Sequence, residues 1–490
     1  MTQNREKGNH GGQAAKTGAV KQSRQGSSPA AARKATSRDV ALEVLLRVEQ
    51  DQSYSNLLLN QQLKKHELDR SDAALATEIV YGTIQRLHTI DYFLGHFVNK
   101  GLGKLEPWVR CLLRLSFYQL YYLQRIPDHA IVSEAVQIAK KRGHQGISGM
   151  VNGVLRNAVR SKEQLVLPPG LDDVKRISLE HSHPEWLVKR WIKQLGNELT
   201  ERICAANNEP PRVSLRVNRV KLSREQLLSS LQEEGIKASA SELAPAGILV
   251  SGAGNMALQP RFLEGAYSIQ DESSMLVAEV VDPQPGMKVL DCCAAPGGKT
   301  SHMAEKMNDS GEIWACDLHE HKQKLIQEQA KRLRLSSIHT KIADATKLSE
   351  QFAPETFDRI LLDAPCSGFG VIRRKPDLKW SKSEREIAEI SRLQSEILQA
   401  AAPLLKPGGF LVYSTCTIEY EENEGMIRRF LRERLDFQLE PFPSEIFAQS
   451  PIGLEAERGF VQIYPHQYGS DGFFIARLRK RPIFGQSHQA

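Results

Sequence analysis

No run of roughly eighteen apolar residues occurs anywhere in the 490-residue chain, which excludes a membrane-spanning helix. The N-terminus, MTQNREKGNH, has no apolar signal core, so the cytoplasm is the expected location. No C-x-x-C pair occurs among the seven cysteines, Cys111, Cys204, Cys292, Cys293, Cys316, Cys366 and Cys416. Their odd number and scatter leave a disulfide framework and a zinc site without support, and no metal is expected. In a cytoplasmic protein they are free thiols. Neither G-x-G-x-x-G nor G-x-x-x-x-G-K-[ST] is present, so nothing marks a site for nucleotide phosphates.

What is present describes a globular protein, with 41% hydrophobic and 25% charged residues. At 490 residues the chain exceeds one ordinary core, so two or three domains are expected. The net charge of +7 invites a nucleic-acid partner, but it is unevenly placed. Residues 1–37 hold Arg5, Lys7, Lys16, Lys21, Arg24, Arg33 and Lys34 against Glu6 alone, which accounts for six of the seven charges. This Gly-, Ser-, Ala- and Gln-rich stretch has little to bury and reads as a disordered basic tail. Such an arm either adds salt-sensitive affinity for RNA or is a dispensable extension.

Residues 38–165 are patterned for helices. ALEVLLRVEQ and DAALATEIVYGTIQRLHTIDYFLGHF space apolar residues three and four apart, and LDRSDAALATE opens a helix with capping residues. DHAIVSEAVQIAKKRGHQGISGMVNGVLRNAVR adds two more around a Gly-containing turn. Residues 166–262 begin as a linker and continue as PPRVSLRVNRVKLSREQLLSSLQEEGIKASAS, a small α+β module of strand, helix and strand. From 263 to 482, MKVLD, EIWACD, IHTKIAD, FDRILLD and GGFLVYSTC alternate with helical stretches, which predicts a mostly parallel sheet covered on both faces. DGFFIARLRK is expected as a last edge strand, and residues 483–490 as a short tail.

VLDCCAAPGGKT, Val289 to Thr300, is a strand, a small-residue loop and a helix start, where open α/β sheets hold their ligands. Gly297 and Gly298 let backbone approach a ligand, and Pro296 stiffens the turn. Asp291, Asp317 and Asp344 close successive strands. A carboxylate at 317 suits ribose hydroxyls and one at 344 an adenine amino group. A ribose and an adenine without a phosphate loop point to S-adenosyl-L-methionine. Any one of these carboxylates is also explained as a cap on the next helix. Cys292 and Cys293 read as small buried residues, with Cys293 lining the site through its backbone.

DAPCSGFG and LVYSTCTI place Cys366 and Cys416 at the ends of two further strands, both on the cofactor edge if the sheet is parallel. Two thiols thus converge near a methyl donor, and neither is explained by a metal site. GVIRRKPDLKW follows, and its Arg373, Arg374, Lys375 and Lys379 beside Trp380 suggest phosphate contacts and a ring that packs or stacks on a base. The run Lys140, Lys141, Arg142 is a second candidate phosphate contact or a solvated helix end.

RSDAALATEIVYGTIQRLHTIDYFL and VNGVLRNAVR resemble NusB, an RNA-binding helical domain, across residues 38–165. DCCAAPGGKT, DAPCSGFGVIRRKPDLKW and YSTCTIEYEENE, with SIQDESSM (Gln270, Asp271, Ser273) ahead of them, resemble RNA 5-methylcytosine methyltransferases of the Fmu, or Sun, type. The resemblance implies a multidomain chain: an all-α NusB-like domain, a small α+β linker module, and an α/β Rossmann-like S-adenosylmethionine-dependent methyltransferase domain. It implies S-adenosyl-L-methionine held by Cys293, Ala294, Ala295, Pro296, Gly297, Gly298, Lys299, Asp317, Asp344 and Asp363. It makes Cys416 the nucleophile at carbon 6, Cys366 the residue that promotes release, and Asp363 the partner of cytosine N3 and its amino group. With the NusB-like domain it implies a monomer acting on 16S ribosomal RNA or an early small-subunit particle. The same chemistry on transfer RNA or another RNA, and a non-catalytic RNA-binding assembly factor, are the alternatives.

Overall fold

The computed structural model describes residues 35–51, 55–448 and 450–482. The basic tail over residues 1–34 and the tail at 483–490 lie outside the described residues. Among these residues no helix is long and apolar enough to cross a membrane.

Seven helices form the first unit: Ser37–Asp51, Ser55–His66, Arg70–Gln85, Leu87–Gly95, Pro107–Tyr122, Asp128–Arg142 and Gln145–Arg160. Asp69 caps the third, accepting the N–H of Asp72 at 2.8 Å. Pro107 opens the fifth, where its missing N–H costs nothing. That fifth helix runs through the core, burying Leu112, Leu113, Leu115 and Phe117. Lys140, Lys141 and Arg142 end the sixth on the exposed side, which suits the helix dipole.

Three helices follow, Asp173–His181, Glu185–Leu195 and Asn197–Ala206. A four-stranded antiparallel sheet comes next, built from β1 (Val213–Val217), β2 (Lys237–Ala240), β3 (Gly247–Ser251) and β4 (Tyr267–Ile269) in the order β2-β3-β1-β4. The helix Arg224–Glu233 joins β1 to β2 and is opened by a capping box at Ser223 and Gln226. β4 closes this sheet from beyond residue 262, the expected limit of the module.

The large sheet contains β5 (Lys288–Asp291), β6 (Glu312–Asp317), β7 (Ile338–Ile342), β8 (Phe357–Asp363), β9 (Leu405–Thr415), β10 (Phe437–Leu439), β11 (Phe460–Ile463) and β12 (Phe473–Lys480). Its order is β10-β12-β9-β8-β5-β6-β7, with β5 through β9 parallel. β12 was expected at the edge and lies inside instead. β9 pairs with one side of it antiparallel, while β11 takes Phe473–Ala476 and β10 takes Leu478–Lys480. Short strands after a long strand are hard to read from periodicity, because three or four residues carry little alternation. The strand order reverses between β5 and β8, and a crevice for ligands opens there at the carboxyl edge.

The segment GVIRRKPDLKW binds the units together rather than presenting a phosphate-binding surface. Arg373 is buried and donates to the carbonyls of Gly469 (2.8 Å) and Pro465 (2.7 Å). Arg374 bridges Asp271 (2.8 Å) and Asp471 (2.7 Å). Lys379 is fully buried, donates to the Gln85 carbonyl at 2.9 Å, and is pushed well below the usual lysine value by burial. Trp380 donates to the Ile84 carbonyl at 2.8 Å and packs on the helical core. Of the cations in this run, Lys375 alone is exposed. Trp380→Ala is therefore expected to cost about 3 kcal/mol of stability in chemical denaturation. A loss of RNA affinity without a loss of stability would restore the stacking role.

Candidate active site

The carboxyl ends of five parallel strands, β5 to β9, line one edge of the sheet. β5 ends in Asp291, which is buried and accepts the Thr300 hydroxyl at 2.7 Å. Burial raises its carboxyl to about 7. The loop after it is pinned by Ala294 N–H to the Cys316 carbonyl (2.8 Å) and Gly297 N–H to the Ala294 carbonyl (2.7 Å). Gly297 has φ +99°, and a Cβ there would stand 3.2 Å from Ile326 Cα, so only glycine serves. Burial pushes the Cys292 and Cys293 thiols up, as befits packing residues.

Asp317 ends β6 and accepts the His319 N–H at 3.3 Å, with Lys322 at 3.5 Å. Asp344, just past β7, accepts the Thr346 N–H (3.0 Å) and hydroxyl (2.7 Å) and caps the next short helix. The capping and ligand readings are compatible here, since a carboxylate has about four acceptor directions. The space above Gly298 is open, with no atom within 4 Å of where a Cβ would stand. A small-residue loop flanked by two strand-end carboxylates fits a nucleoside with hydroxyl and amino donors. S-adenosylmethionine carries those groups.

β8 ends in Asp363, whose Oδ1 accepts the Ser414 hydroxyl at 2.8 Å and whose Oδ2 pairs with Lys299 Nζ at 2.7 Å. Lys299, in the first turn of the helix Gly298–Lys306 that follows the small-residue loop, turns its ammonium to this carboxylate, above the Phe473 ring at 5.1 Å. The two cysteines meet. Cys366 Sγ lies 3.3 Å from Cys416 Sγ, and both are half-buried. The loops carrying them are tied by Ala364 N–H to the Ser414 carbonyl (2.8 Å), Gly370 N–H to the Cys416 carbonyl (3.0 Å), and the Ser367 and Thr417 hydroxyls (2.7 Å). Gly370 is obligatory at this crossing, since its Cβ would stand 1.9 Å from the Gly472 carbonyl oxygen.

The hydrogen bond shared with Cys366 lowers Cys416 below the usual thiol value against the opposing effects of burial and the Asp363 charge, with help from the Lys299 and Lys375 charges. Cys366 is correspondingly raised by that bond, by burial, and by the charges of Cys416 and Glu422. The arrangement favours a thiolate at 416 and a thiol at 366.

A family profile described as 16S rRNA methyltransferase RsmB/F matches residues 278–479, and the NusB family matches 35–160. A ferredoxin-like domain of RsmF/B-like methyltransferases matches 183–257. A Bacillus subtilis protein named probable ribosomal RNA small subunit methyltransferase B is 48% identical over 450 residues, 92% of this chain and 100% of its own. The chain belongs to the RsmB/F family. A Proteus mirabilis ribosomal RNA small subunit methyltransferase B is 36% identical over 91% of this chain and 98% of its own. Among solved structures, PH0851 superimposes with TM-score 0.77 at 30% identity, covering 91% of this chain and 99% of its own. NSun6 from Pyrococcus horikoshii with SFG, an S-adenosylmethionine analogue, gives TM-score 0.54 at 27% identity over 61% of this chain and 98% of its own. As an RsmB/F protein the chain is an S-adenosylmethionine-dependent methyltransferase with a NusB domain at its front.

Several residues at the RsmB/F site escaped sequence reasoning. Ser414, Glu422, Gln394 and the buried Arg216 all hold the machinery in place. Glu422 stands within YSTCTIEYEENE, but its spacing does not separate it from Glu419, Glu421 and Glu424.

Proposed function

We propose that this chain methylates carbon 5 of a specific cytosine in 16S ribosomal RNA, in the cytoplasm, as a monomer acting on RNA or an early small-subunit particle. The observation that carries the reading is the pair of sulfurs 3.3 Å apart beside Asp363 at the carboxyl edge. Cys416 adds as thiolate to carbon 6 while N3 takes up a proton from solvent, and the Asp363 carboxylate accepts hydrogen bonds from that N3–H and from the amino group, the N3 proton returning to solvent at release. S-adenosylmethionine supplies an electrophilic methyl group. Cys293 through Lys299 would line its loop, Asp317 the ribose, Asp344 the adenine, and Asp363 the rim nearest the base. Carbon 5, now nucleophilic, takes the methyl group. Its proton is then lost to solvent, the carbon 6–sulfur bond breaks, and the electron pair returns to Cys416. Cys366, held as a thiol, hydrogen-bonds that departing sulfur as it does in the resting site. The target base has to leave its stack to reach this crevice.

Tritiated methyl transfer from S-adenosylmethionine to unmethylated 16S ribosomal RNA tests the proposal. Label is expected at one cytosine, located by mapping 5-methylcytosine. Label confined to transfer RNA or another RNA would move the chemistry to that substrate. Label in no RNA would favour a non-catalytic assembly factor.

A further inference from the structure

Glu422 is fully buried, forms no ion pair among the described residues, and is turned toward the loop that carries Cys366. Its Oε2 accepts the Ser367 N–H at 2.9 Å and the Gln394 side-chain amide at 2.9 Å. The same Gln394 nitrogen donates to the Pro365 carbonyl at 2.9 Å. Both peptide groups flanking Cys366 are therefore held by this one acid and its amide neighbour. Glu422 is itself fixed, since the Tyr413 hydroxyl of β9 donates to its carbonyl at 2.7 Å. The next residue, Asn423, accepts from the Thr415 hydroxyl and donates to the Thr417 carbonyl (2.9 Å), on either side of Cys416. Glu422 and Asn423 thus clamp the two cysteine loops against each other from one short turn.

We infer that Glu422 is the positioning residue of the release step, holding Cys366 where its S–H meets the sulfur departing from carbon 6. The inference rests on the assignment of Cys416 to attack and Cys366 to release. In that step the carbon 5 proton passes to water, the carbon 6–sulfur bond breaks, and the charge lands on Cys416 Sγ. A thiol displaced from its 3.3 Å contact would no longer stabilise that charge, and the methylated adduct would persist. Attack is less affected, because Lys299 and Lys375 also favour the Cys416 thiolate. Burial lifts Glu422 to about 7, yet its neutral form still offers an acceptor oxygen to Ser367. The acceptor geometry, rather than the charge alone, is what the loop requires.

The test compares full-length wild type, Cys366→Ala, Glu422→Ala and Glu422→Gln on unmethylated 16S RNA with S-adenosylmethionine. Covalent protein–RNA complex is read on a denaturing gel, and single-turnover methyl transfer is measured beside steady-state turnover. Glu422→Ala is expected to keep single-turnover transfer within about threefold while steady-state turnover falls about tenfold or more. Covalent complex should accumulate as it does for Cys366→Ala. Glu422→Gln, which keeps an acceptor for the Ser367 N–H, is expected to restore turnover to within about threefold of wild type. Normal turnover in Glu422→Ala, or loss of both rates with no complex, overturns the proposal. If Glu422→Ala does not fold, Gln394→Leu removes the support of the Pro365 carbonyl and must trap complex in its place. Normal turnover there is equally fatal. Absence of complex from Cys366→Ala brings down the cysteine roles and Glu422 with them, whereas complex from Cys366→Ala alone brings down Glu422 only.

Discussion

Cys416→Ala is expected to lower methyl transfer on the order of a thousandfold or more and to form no covalent RNA complex. Cys366→Ala is expected to accumulate that complex after one methyl transfer. The two sulfurs are 3.3 Å apart and comparably exposed, so distance and access do not distinguish attacker from helper. Their surroundings do. Asp363 opposes a charge on either sulfur, but Cys416 also feels the Lys299 and Lys375 charges, while Cys366 faces the charge of Glu422. The charge therefore settles on Cys416, and a thiolate is the competent nucleophile. The sign for pH follows. Cys416 lies below its ordinary value of 9.0, so adduct formation rises with pH and levels off on the acid side of 9. In Cys366→Ala the donor is gone, the Cys416 thiolate is less stable, and the plateau moves to higher pH. Quench-flow measurement of adduct against pH checks both statements. Exchanged phenotypes would reverse the two roles.

Arg216→Met is expected to be the most destabilising single change among those considered, about 3–5 kcal/mol in chemical denaturation. Arg216 sits on β1 of the small module with no exposed side-chain surface and is paired at 2.8 Å with Glu305, itself 2% exposed. It also donates to the Gly298 carbonyl (2.6 Å), the Ser301 hydroxyl (3.0 Å) and the side-chain carbonyl of Gln270. Removing it strands a buried carboxylate and loosens the start of the helix that follows the cofactor loop. Affinity for S-adenosylmethionine should fall about tenfold by calorimetry, or roughly 1.4 kcal/mol. The double variant Arg216→Met/Glu305→Leu separates these effects, because an apolar replacement of both partners recovers stability while the carbonyl of Gly298 stays unheld. A double variant as unstable as the single one, or unchanged cofactor affinity in both, would show that the module does not support the loop.

The helical front of the chain was legible because helix periodicity and caps are local: Asp69, within LDRSDAALATE, announces its helix within a turn. The parallel sheet was legible for a similar reason, as each short apolar run is followed at once by its turn. Cys366 and Cys416 each follow such a run, and β8 pairing parallel with β9 brings both to one edge. The basic run after Cys366 misled because composition does not show where a side chain points. Arg373, Arg374 and Lys379 find their partners on distant segments, Lys379 as far as 294 residues away.

The sequence by itself determined the order of the units, the strand ends and the residue types that stand at them, since each depends on neighbours within a few positions. Only the tertiary structure decided which acid answers to which loop and which cation is tied down. Arg216 meets Glu305 across 89 residues and Glu422 meets Ser367 across 55, and such pairings arise from packing that no local pattern encodes.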